Sequence, residues 1–153
     1  MHPRLEYKEI APGAFEAMRG VESYVRQTGL EPPLLELVRT RASQINHCAY
    51  CLDMHTKDAR AAGESEQRLY SLSAWRETPF YTERERSALS WTEAVTRIAD
   101  RSLPDELYEE VRRYFTEKEL VDLTMAVIAI NGWNRLAISF RSVPGTYQPL
   151  LQK

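Results

Sequence analysis

The sequence predicts a single all-α domain, and three observations carry this prediction. Apolar residues recur at helical spacing, helix-start signals are frequent, and no segment alternates polar and apolar residues for long enough to predict a strand. The length of 153 residues, with 43% hydrophobic and 27% charged residues, is typical of one globular domain with its own core. We therefore expect one domain over residues 1–153, built from about seven helices.

Prolines open the first two predicted helices, because proline is well tolerated in the first turn of a helix. The helix that begins at Pro12 has an apolar face formed by Phe15, Met18, Val21 and Val25. The second helix begins at Pro32 and Pro33, and its apolar positions are Leu34, Leu37, Val38 and Ile45.

The next two predicted helices begin at polar residues that can cap a helix N-terminus. Asn46 is the predicted N-cap of a third helix, which contains the two cysteines of the chain and ends near Gly63. Ser65 starts a short fourth helix, whose apolar residues are Leu69, Leu72 and Trp75. A loop that contains Pro79 follows.

Capping-box patterns, in which a threonine is followed three residues later by a glutamate, start two helices in the second half of the chain. Thr82 and Glu85 precede a helix with apolar residues Leu89, Val95 and Ile98, and Thr116 and Glu119 precede the last helix. Between these two helices, Pro104 opens another, whose apolar residues are Leu107, Val111 and Tyr114.

The last helix is predicted from about Glu117 towards Val143, where Pro144 and Gly145 end it. Residues 123–130 are apolar almost all around this helix, which is unusual for a surface helix. Either the helix lies in the core of the monomer, or it also packs against a second subunit.

A glycine and three polar residues interrupt this apolar helix: Asn131, Gly132, Asn134 and Arg135. We expect Gly132 to allow a neighbouring helix to approach closely. The polar residues are expected either to line the mouth of a site or to bridge subunits.

Charge and hydropathy exclude several classes of function. The net charge of −2 provides no basic field for nucleic acid or for an anionic membrane surface. The longest apolar run, Met125 to Ile130, is too short to span a bilayer, and the N-terminus shows no apolar segment of a secretory signal. We therefore expect a cytoplasmic protein that binds neither nucleic acid nor membrane.

The only two cysteines, Cys48 and Cys51, form a Cys-x-x-Cys motif that is followed by His55. On a helix these three residues fall within an arc of about 60° and share one face. A position near a helix N-terminus favours thiolate over thiol, and a neighbouring histidine can take the proton of a thiol. A second thiol can convert a sulfenic acid to a disulfide. The motif therefore predicts reversible thiol–disulfide chemistry.

Three other interpretations of the motif remain open. A structural disulfide would stabilise the fold only weakly, by about 2 kcal/mol, because the loop it closes is short. A zinc site would use Cys48, Cys51 and His55 with Glu36 as the fourth ligand, although no second ligand pair completes a usual zinc spacing. The cysteines are also compatible with two ordinary buried residues. A thioredoxin-like site is excluded, since no βαβ pattern surrounds the motif.

Glu36 lies among leucines on the helix that precedes the cysteines. Its carboxylate is expected either to orient His55, as carboxylates orient other histidines, or to pair with Arg39 one turn along the helix. An exposed position on an amphipathic helix is the third interpretation.

Together, Glu36, the Cys48/Cys51 pair and His55 resemble the signature of the AhpD-like alkylhydroperoxidases of the carboxymuconolactone decarboxylase superfamily. The resemblance centres on residues 20–100. Three segments agree with it: 37–46 (LVRTRASQIN), 82–85 (TERE) and, late in the chain, 131–135 (NGWNR).

The resemblance implies an all-α fold, a trimeric or hexameric homo-oligomer, and a peroxidase that uses no metal or other cofactor. It implies that Cys51 attacks an organic hydroperoxide and becomes a sulfenic acid, and that Cys48, the more exposed thiol, condenses with it. His55 and Glu36 would relay the proton. An external dithiol, such as a lipoylated protein, would then reduce the disulfide.

The helix dipole alone would favour Cys48 as the more acidic thiol. We assign the attack to Cys51 on the resemblance, because contact with a base outweighs a dipole effect of about 0.3–1 kcal/mol. This chain has Tyr50 where the best-known members of the group carry a histidine. Two alternative functions are a lactone decarboxylase of the same superfamily and a non-catalytic, redox-sensing oligomeric module.

Overall fold

The computed structural model describes residues 1–100 and 102–149, and within them the chain is all-helical, with no strand. The helices are α1 (Tyr7–Ile10), α2 (Pro12–Arg26), α3 (Pro32–Ile45), α4 (Ala49–Ala61), α5 (Glu66–Ser71), a 3-10 helix (Leu72–Glu77), α6 (Glu83–Thr96), α7 (Asp105–Arg112) and α8 (Glu117–Phe140). The predicted all-α class is confirmed. Arg101 and residues 150–153, which the predicted domain 1–153 also includes, lie outside the described residues.

Both predicted capping boxes are present at the starts of α6 and α8. The hydroxyl of Thr116 accepts the backbone N–H of Glu119 at 3.2 Å, and the Glu119 carboxylate accepts the backbone N–H of Thr116 at 2.8 Å. Thr82 and Glu85 form the same pair of bonds. The hydrogen bond from the Thr116 backbone, with help from Arg84, lowers the pKa of Glu119 to about 2. Local sequence alone therefore determines where these two helices begin.

The prediction that Asn46 caps the cysteine-containing helix is wrong. Asn46 ends α3, and the N-cap of α4 is Cys48, whose sulfur accepts the backbone N–H of Cys51 at 3.3 Å. Between them, His47 adopts the left-handed conformation, with φ at 56°, and this residue reverses the chain. The side chain of Asn46 turns towards α8 instead of towards the start of α4.

Smaller differences concern helix ends. The one-turn helix α1 was not predicted; it lies against the end of α8 through Tyr7, whose ring centroid is 5.4 Å from that of Phe140. Leu72 and Trp75 belong to the 3-10 helix that continues α5. Ile98 and Tyr114 lie beyond the ends of α6 and α7.

The core is organised around α3 and α8, which pack against each other. Its buried apolar residues include Val25, Leu34, Val38, Ala88, Trp91, Val111, Leu123 and Val127. The last helix therefore lies in the core, as one of the two alternatives has it, but α8 also leaves Val121, Ile128 and Ile138 exposed. Within the described residues, no helix combines the length and the hydrophobicity needed to cross a membrane.

Gly132 allows α2 to approach α8 closely, as expected. A Cβ atom at this position would lie 2.7 Å from the terminal carbon of Met18, so any larger residue would displace that side chain.

The three asparagines of the chain form a polar network that joins α8 to the turn before the cysteines. The Asn46 amide donates to Asn131 at 3.0 Å and to Asn134 at 2.8 Å, and the Asn134 amide donates to the Ser43 hydroxyl at 3.0 Å. Asn134 is fully buried. It therefore neither lines a site mouth nor bridges subunits; it holds the turn in which Cys48 lies.

We expect Asn134→Ala to lower the free energy of unfolding by about 2 kcal/mol, because it removes two hydrogen bonds: one from the Asn46 amide, which keeps only its bond to Asn131, and one to the buried Ser43 hydroxyl. Chemical denaturation measures this value. Hydrogen exchange at the Cys48 amide, which donates to the Ser43 carbonyl at 3.0 Å, should accelerate. Ser139→Ala, at an exposed position of the same helix, is the control and should change stability by less than about 0.5 kcal/mol. Equal effects of the two variants would contradict the role of the network.

Candidate active site

Cys48 and Cys51 are joined by a disulfide, with their Cα atoms 5.3 Å apart. Cys48 is the N-cap of α4 and Cys51 lies in its first turn, so the helix start itself brings the two sulfurs together. Both residues pack against a small apolar cluster whose other buried members are Ala42, Ile130 and Ala137. The predicted proximity of the two thiols is therefore present in the structure.

The expectation that Cys48 is the more exposed of the two residues is wrong for this chain. Both cysteines are only 1% exposed. Of the two, Cys51 lines a cavity, whereas Cys48 lies in the turn that the asparagine network ties to α8. A reagent in the cavity therefore approaches Cys51 rather than Cys48.

Glu36 contacts both His55 and Arg39, the two partners that the sequence left open. Its Oε2 atom lies 2.9 Å from Nδ1 of His55, and its Oε1 atom accepts a hydrogen bond from Arg39 at 2.6 Å. His55 lies one turn after Cys51 on α4, is buried, and lines the same cavity. The side chains expected from the sequence at the site, Glu36, Cys51 and His55, therefore meet at one cavity, with Cys48 directly behind.

The charge state of Glu36 fixes the tautomer of the histidine. Burial alone would raise the pKa of Glu36, but the hydrogen bond with His55 and the attraction of His55 and Arg39 outweigh burial and lower it. Glu36 is therefore a carboxylate, which can only accept hydrogen bonds, so Nδ1 of His55 carries the proton. The other ring nitrogen, Nε2, is then the one that can accept a proton in the neutral ring.

Arg39 connects this pair to α2. Arg39 is only 7% exposed, and the second branch of its guanidinium donates to Glu22 at 2.5 Å. Two carboxylates thus compensate one buried cation, which avoids the large cost of an unpaired buried charge. The ion pairs fix three helices, α2, α3 and α4, around the cavity.

The cavity has a volume of about 450 Å³ and lies between α1, α2, α3, α4, α8 and the segment that follows α8. One wall is aromatic: the ring centroid of Phe15 lies 6.3 Å from that of Tyr7 and 5.6 Å from that of Trp133. Tyr50 also lines the cavity. The volume and the apolar lining suit a small organic molecule.

Asp58 and Tyr147 are among the cavity residues that sequence reasoning missed. The hydroxyl of Tyr147 donates to Asp58 at 2.7 Å. Asp58 follows His55 at helical spacing, so the pattern of Cys51, His55 and Asp58 on one face was a usable signal. No local signal marked Tyr147, which is 89 residues away from its partner in sequence.

Glu36, His55 and Asp58 are the group of described residues whose ligand atoms lie within 4.8 Å of one another and so could hold a metal ion. Each of these side chains already has a polar partner: Glu36 binds His55, and Asp58 accepts the Tyr147 hydroxyl. A zinc site with thiolate ligands would require reduced cysteines, whereas the two sulfurs here are bonded to each other. The groups thus satisfy one another without an ion.

We expect Glu36→Gln to lower the free energy of unfolding by about 3 kcal/mol at pH 7, because it removes a buried carboxylate that pairs with Arg39 and His55. Since folding lowers the pKa of Glu36, its contribution is complete above the unfolded pKa and is lost as pH falls through the folded pKa. The difference between wild type and variant should therefore shrink below about pH 4.5.

Chemical denaturation at several pH values between 7 and 3 measures this difference. The control is Glu16→Gln, which removes an exposed pair with Arg19 and should cost less than about 0.5 kcal/mol at every pH. A stability difference for Glu36→Gln that stays constant across this range would show that its charge contributes nothing.

Comparisons with known proteins identify the family of the chain. Residues 12–94 match the sequence profile of the carboxymuconolactone decarboxylase family. The protein YdfG of Bacillus subtilis (strain 168), which is uncharacterized, is 45% identical over 139 residues, which are 91% of this chain and 95% of YdfG.

Two crystal structures show the same fold. A protein of unknown function from Agrobacterium tumefaciens, assigned provisionally as the antioxidant defence protein AhpD, is 45% identical, with a TM-score of 0.92 over 95% of this chain and 100% of that one. A peroxidase-related protein with an alkylhydroperoxidase AhpD core from Ralstonia eutropha JMP134 is 18% identical, with a TM-score of 0.80 over 94% of this chain and 77% of that one. The second likeness concerns the fold alone.

The sequence match, the close relatives and the all-α fold around a Cys-x-x-Cys pair agree with the resemblance drawn from the sequence. The chain belongs to the carboxymuconolactone decarboxylase family and is one of its AhpD-like members.

Proposed function

We propose that this protein is a thiol-dependent peroxidase that reduces organic hydroperoxides through Cys51 and Cys48, with His55 and Glu36 as the proton relay. The observation that carries the proposal is that Cys51 and His55 line the same cavity. Cys51, bonded to Cys48, lines the same cavity as His55, whose Nδ1 atom is held by Glu36. A nucleophile, a base and a group that orients the base are the parts that thiol catalysis requires.

The reaction begins with the reduced protein. His55 takes the proton of the Cys51 thiol, and the thiolate attacks the terminal oxygen of the hydroperoxide. The O–O bond breaks, Cys51 becomes a sulfenic acid, and the proton held by His55 passes to the departing alkoxide, which leaves as an alcohol. The Cys48 thiol then attacks the sulfenic acid, so that a disulfide and one water molecule form.

An external dithiol completes the cycle. It loses two hydrogens and becomes a disulfide, while Cys48 and Cys51 become thiols again. Because both cysteines are almost fully buried, the dithiol must sit on a narrow arm that enters the cavity. A lipoyl group on a carrier protein has this form, and we propose such a partner, in the reducing environment of the cytoplasm.

We expect the reduced wild type to consume about one equivalent of cumene hydroperoxide in the absence of a reductant and to lose both of its thiols. Cys51→Ser should consume none, whereas Cys48→Ser should consume one equivalent and lose its single thiol. Thiol counting and peroxide assay measure these quantities. Peroxide consumption by Cys51→Ser at the wild-type rate would contradict the assignment of the attacking sulfur.

The histidine provides a second, matched test. We expect His55→Asn to slow the reaction with hydroperoxide by about 100-fold or more, since the variant removes the base that receives the thiol proton. His47→Asn is the control: this histidine is exposed, and asparagine tolerates its left-handed conformation. Rapid-mixing measurements of sulfenic acid formation give both rates. Equal slowing by the two variants would argue against a role for His55 as the base.

The family name supports a lactone decarboxylase as the second candidate function. Release of carbon dioxide from a carboxylated muconolactone by wild type and by Cys51→Ser alike would favour it. A redox-sensing module instead predicts a change of subunit number between the oxidised and the reduced protein.

We also propose that the chain forms a homo-oligomer, trimeric or hexameric, through the exposed apolar residues of α8. A solvent-exposed set of this kind, formed by Val121, Ile128 and Ile138, favours a buried interface. We expect a mass of several times 17.7 kDa by light scattering and a lower mass for Ile128→Glu. Ile98→Glu, at an exposed isoleucine outside α8, is the control and should keep the wild-type mass. A monomeric wild type would refute the proposal.

A further inference from the structure

The segment that follows α8 forms a strap, residues 142–149, across the face of α4. The strap begins where Arg141 ends α8 in the left-handed conformation, and it turns at Gly145, whose φ of 103° is one that L side chains rarely adopt. The turn brings Tyr147 back over the helix that carries Cys51 and His55. The path of the strap is therefore fixed by local backbone conformation at two points.

Three hydrogen bonds attach the strap to α4. The backbone N–H of Gly145 donates to Asp53 at 2.9 Å, the ammonium of Lys57 donates to the backbone carbonyl of Tyr147 at 3.0 Å, and the Tyr147 hydroxyl donates to Asp58 at 2.7 Å. Lys57 and Asp53 also form an ion pair, which lowers the pKa of Asp53 and keeps it an acceptor. Both the backbone and the side chain of Tyr147 are thus tied to α4.

Tyr147 lies at the same cavity as the residues of the proposed reaction. Its side chain lines the cavity together with Cys51 and His55, and its partner Asp58 has a ligand atom within 4.8 Å of one on His55. Burial, together with Asp58, raises the pKa of Tyr147, so its hydroxyl stays protonated and keeps donating. The aromatic rings of Phe15 and Trp133 line the same cavity.

We propose that Tyr147 is a specificity-determining residue: its ring, fixed by the strap on α4, limits the size of the molecule that can reach the sulfur of Cys51. The substrate class that fits is a compact hydroperoxide with one small ring or a short branched alkyl group, and long-chain or polycyclic hydroperoxides are excluded. The inference rests on the proposed function in taking Cys51 as the attacking thiol.

The test uses a pair of thiol reagents with the same reactive group and different sizes, N-ethylmaleimide and N-(1-pyrenyl)maleimide. In the reduced Cys48→Ser protein, Cys51 is the only thiol of the chain, so each second-order rate constant reports on this sulfur. Any change in the acidity of the thiol affects both reagents, and the ratio of the two rate constants isolates the effect of size.

We expect Tyr147→Ala to raise the rate constant of Cys51 with N-(1-pyrenyl)maleimide at least tenfold, and that with N-ethylmaleimide less than threefold. Tyr147→Phe retains the ring and should keep the wild-type ratio within about twofold. Asp53→Ala removes the bond to the Gly145 N–H and the ion pair with Lys57, which loosens the strap while leaving Tyr147 intact, and it should raise the ratio in the same direction as Tyr147→Ala but by less. Thermal unfolding of each variant shows whether it is folded.

Tyr70 supplies the matched control, because its hydroxyl donates to Glu66 at 3.2 Å in the same kind of bond but at an exposed position away from the cavity. Tyr70→Ala should leave both rate constants unchanged. An unchanged ratio in Tyr147→Ala, or an equally large rise in Tyr147→Phe, would overturn the proposal. Since alkylation requires no peroxide, these outcomes are independent of whether the protein consumes hydroperoxide.

Discussion

The carboxylate of Glu36 is the contact on which the geometry of the site depends. One oxygen accepts from Arg39 and the other from His55, so a single buried side chain sets both the position of an arginine and the tautomer of a histidine. A buried charge is tolerated only when it is well paired, and this requirement makes the arrangement specific. Because Arg39 also binds Glu22, the same contact determines how α2, α3 and α4 sit around the cavity. The apolar faces of these helices would allow other packing arrangements, but few of those arrangements would pair all of these charged groups.

A second constraint acts on the sulfurs. The turn between α3 and α4 is short, reverses at His47 in the left-handed conformation, and places Cys48 as the cap of the helix that contains Cys51. The side-chain amides of Asn46 and the buried Asn134 hold this turn against α8. Positioning of the dithiol therefore comes from backbone geometry and a polar network, whereas positioning of the base comes from ion pairing. The dithiol and the base both lie on α4, where Cys51 and His55 are one helical turn apart.

These interactions explain which parts of the molecule could be predicted from sequence. Capping boxes at Thr82 and Thr116 involve residues three apart, and the shared face of Cys51 and His55 follows from helical periodicity, so both were predictable. Asn46 looked like a cap because capping is a local rule, but its actual partners lie 85 and 88 residues away on α8. The same holds for Tyr147, whose contact with Asp58 exists only after the chain has folded back over α4. Features that depend on residues close in sequence could therefore be predicted, whereas contacts between residues far apart in sequence could not.

The geometry also relates the two cysteines to the two halves of the proposed reaction. The helix dipole favours a thiolate at Cys48, whereas contact with a base favours attack by Cys51. The two statements are compatible once the reduction of the disulfide is considered. In the proposed reaction, a reductant that enters the cavity would attack Cys51, which lines it, so a mixed disulfide would form there and Cys48 would depart. The departing thiolate lies at the N-cap of α4, where the N–H of Cys51 donates to it, and a stabilised thiolate leaves faster. Hydroperoxide and reductant would then use the same entrance and the same sulfur, which requires that they react in turn, with one product released before the second substrate binds.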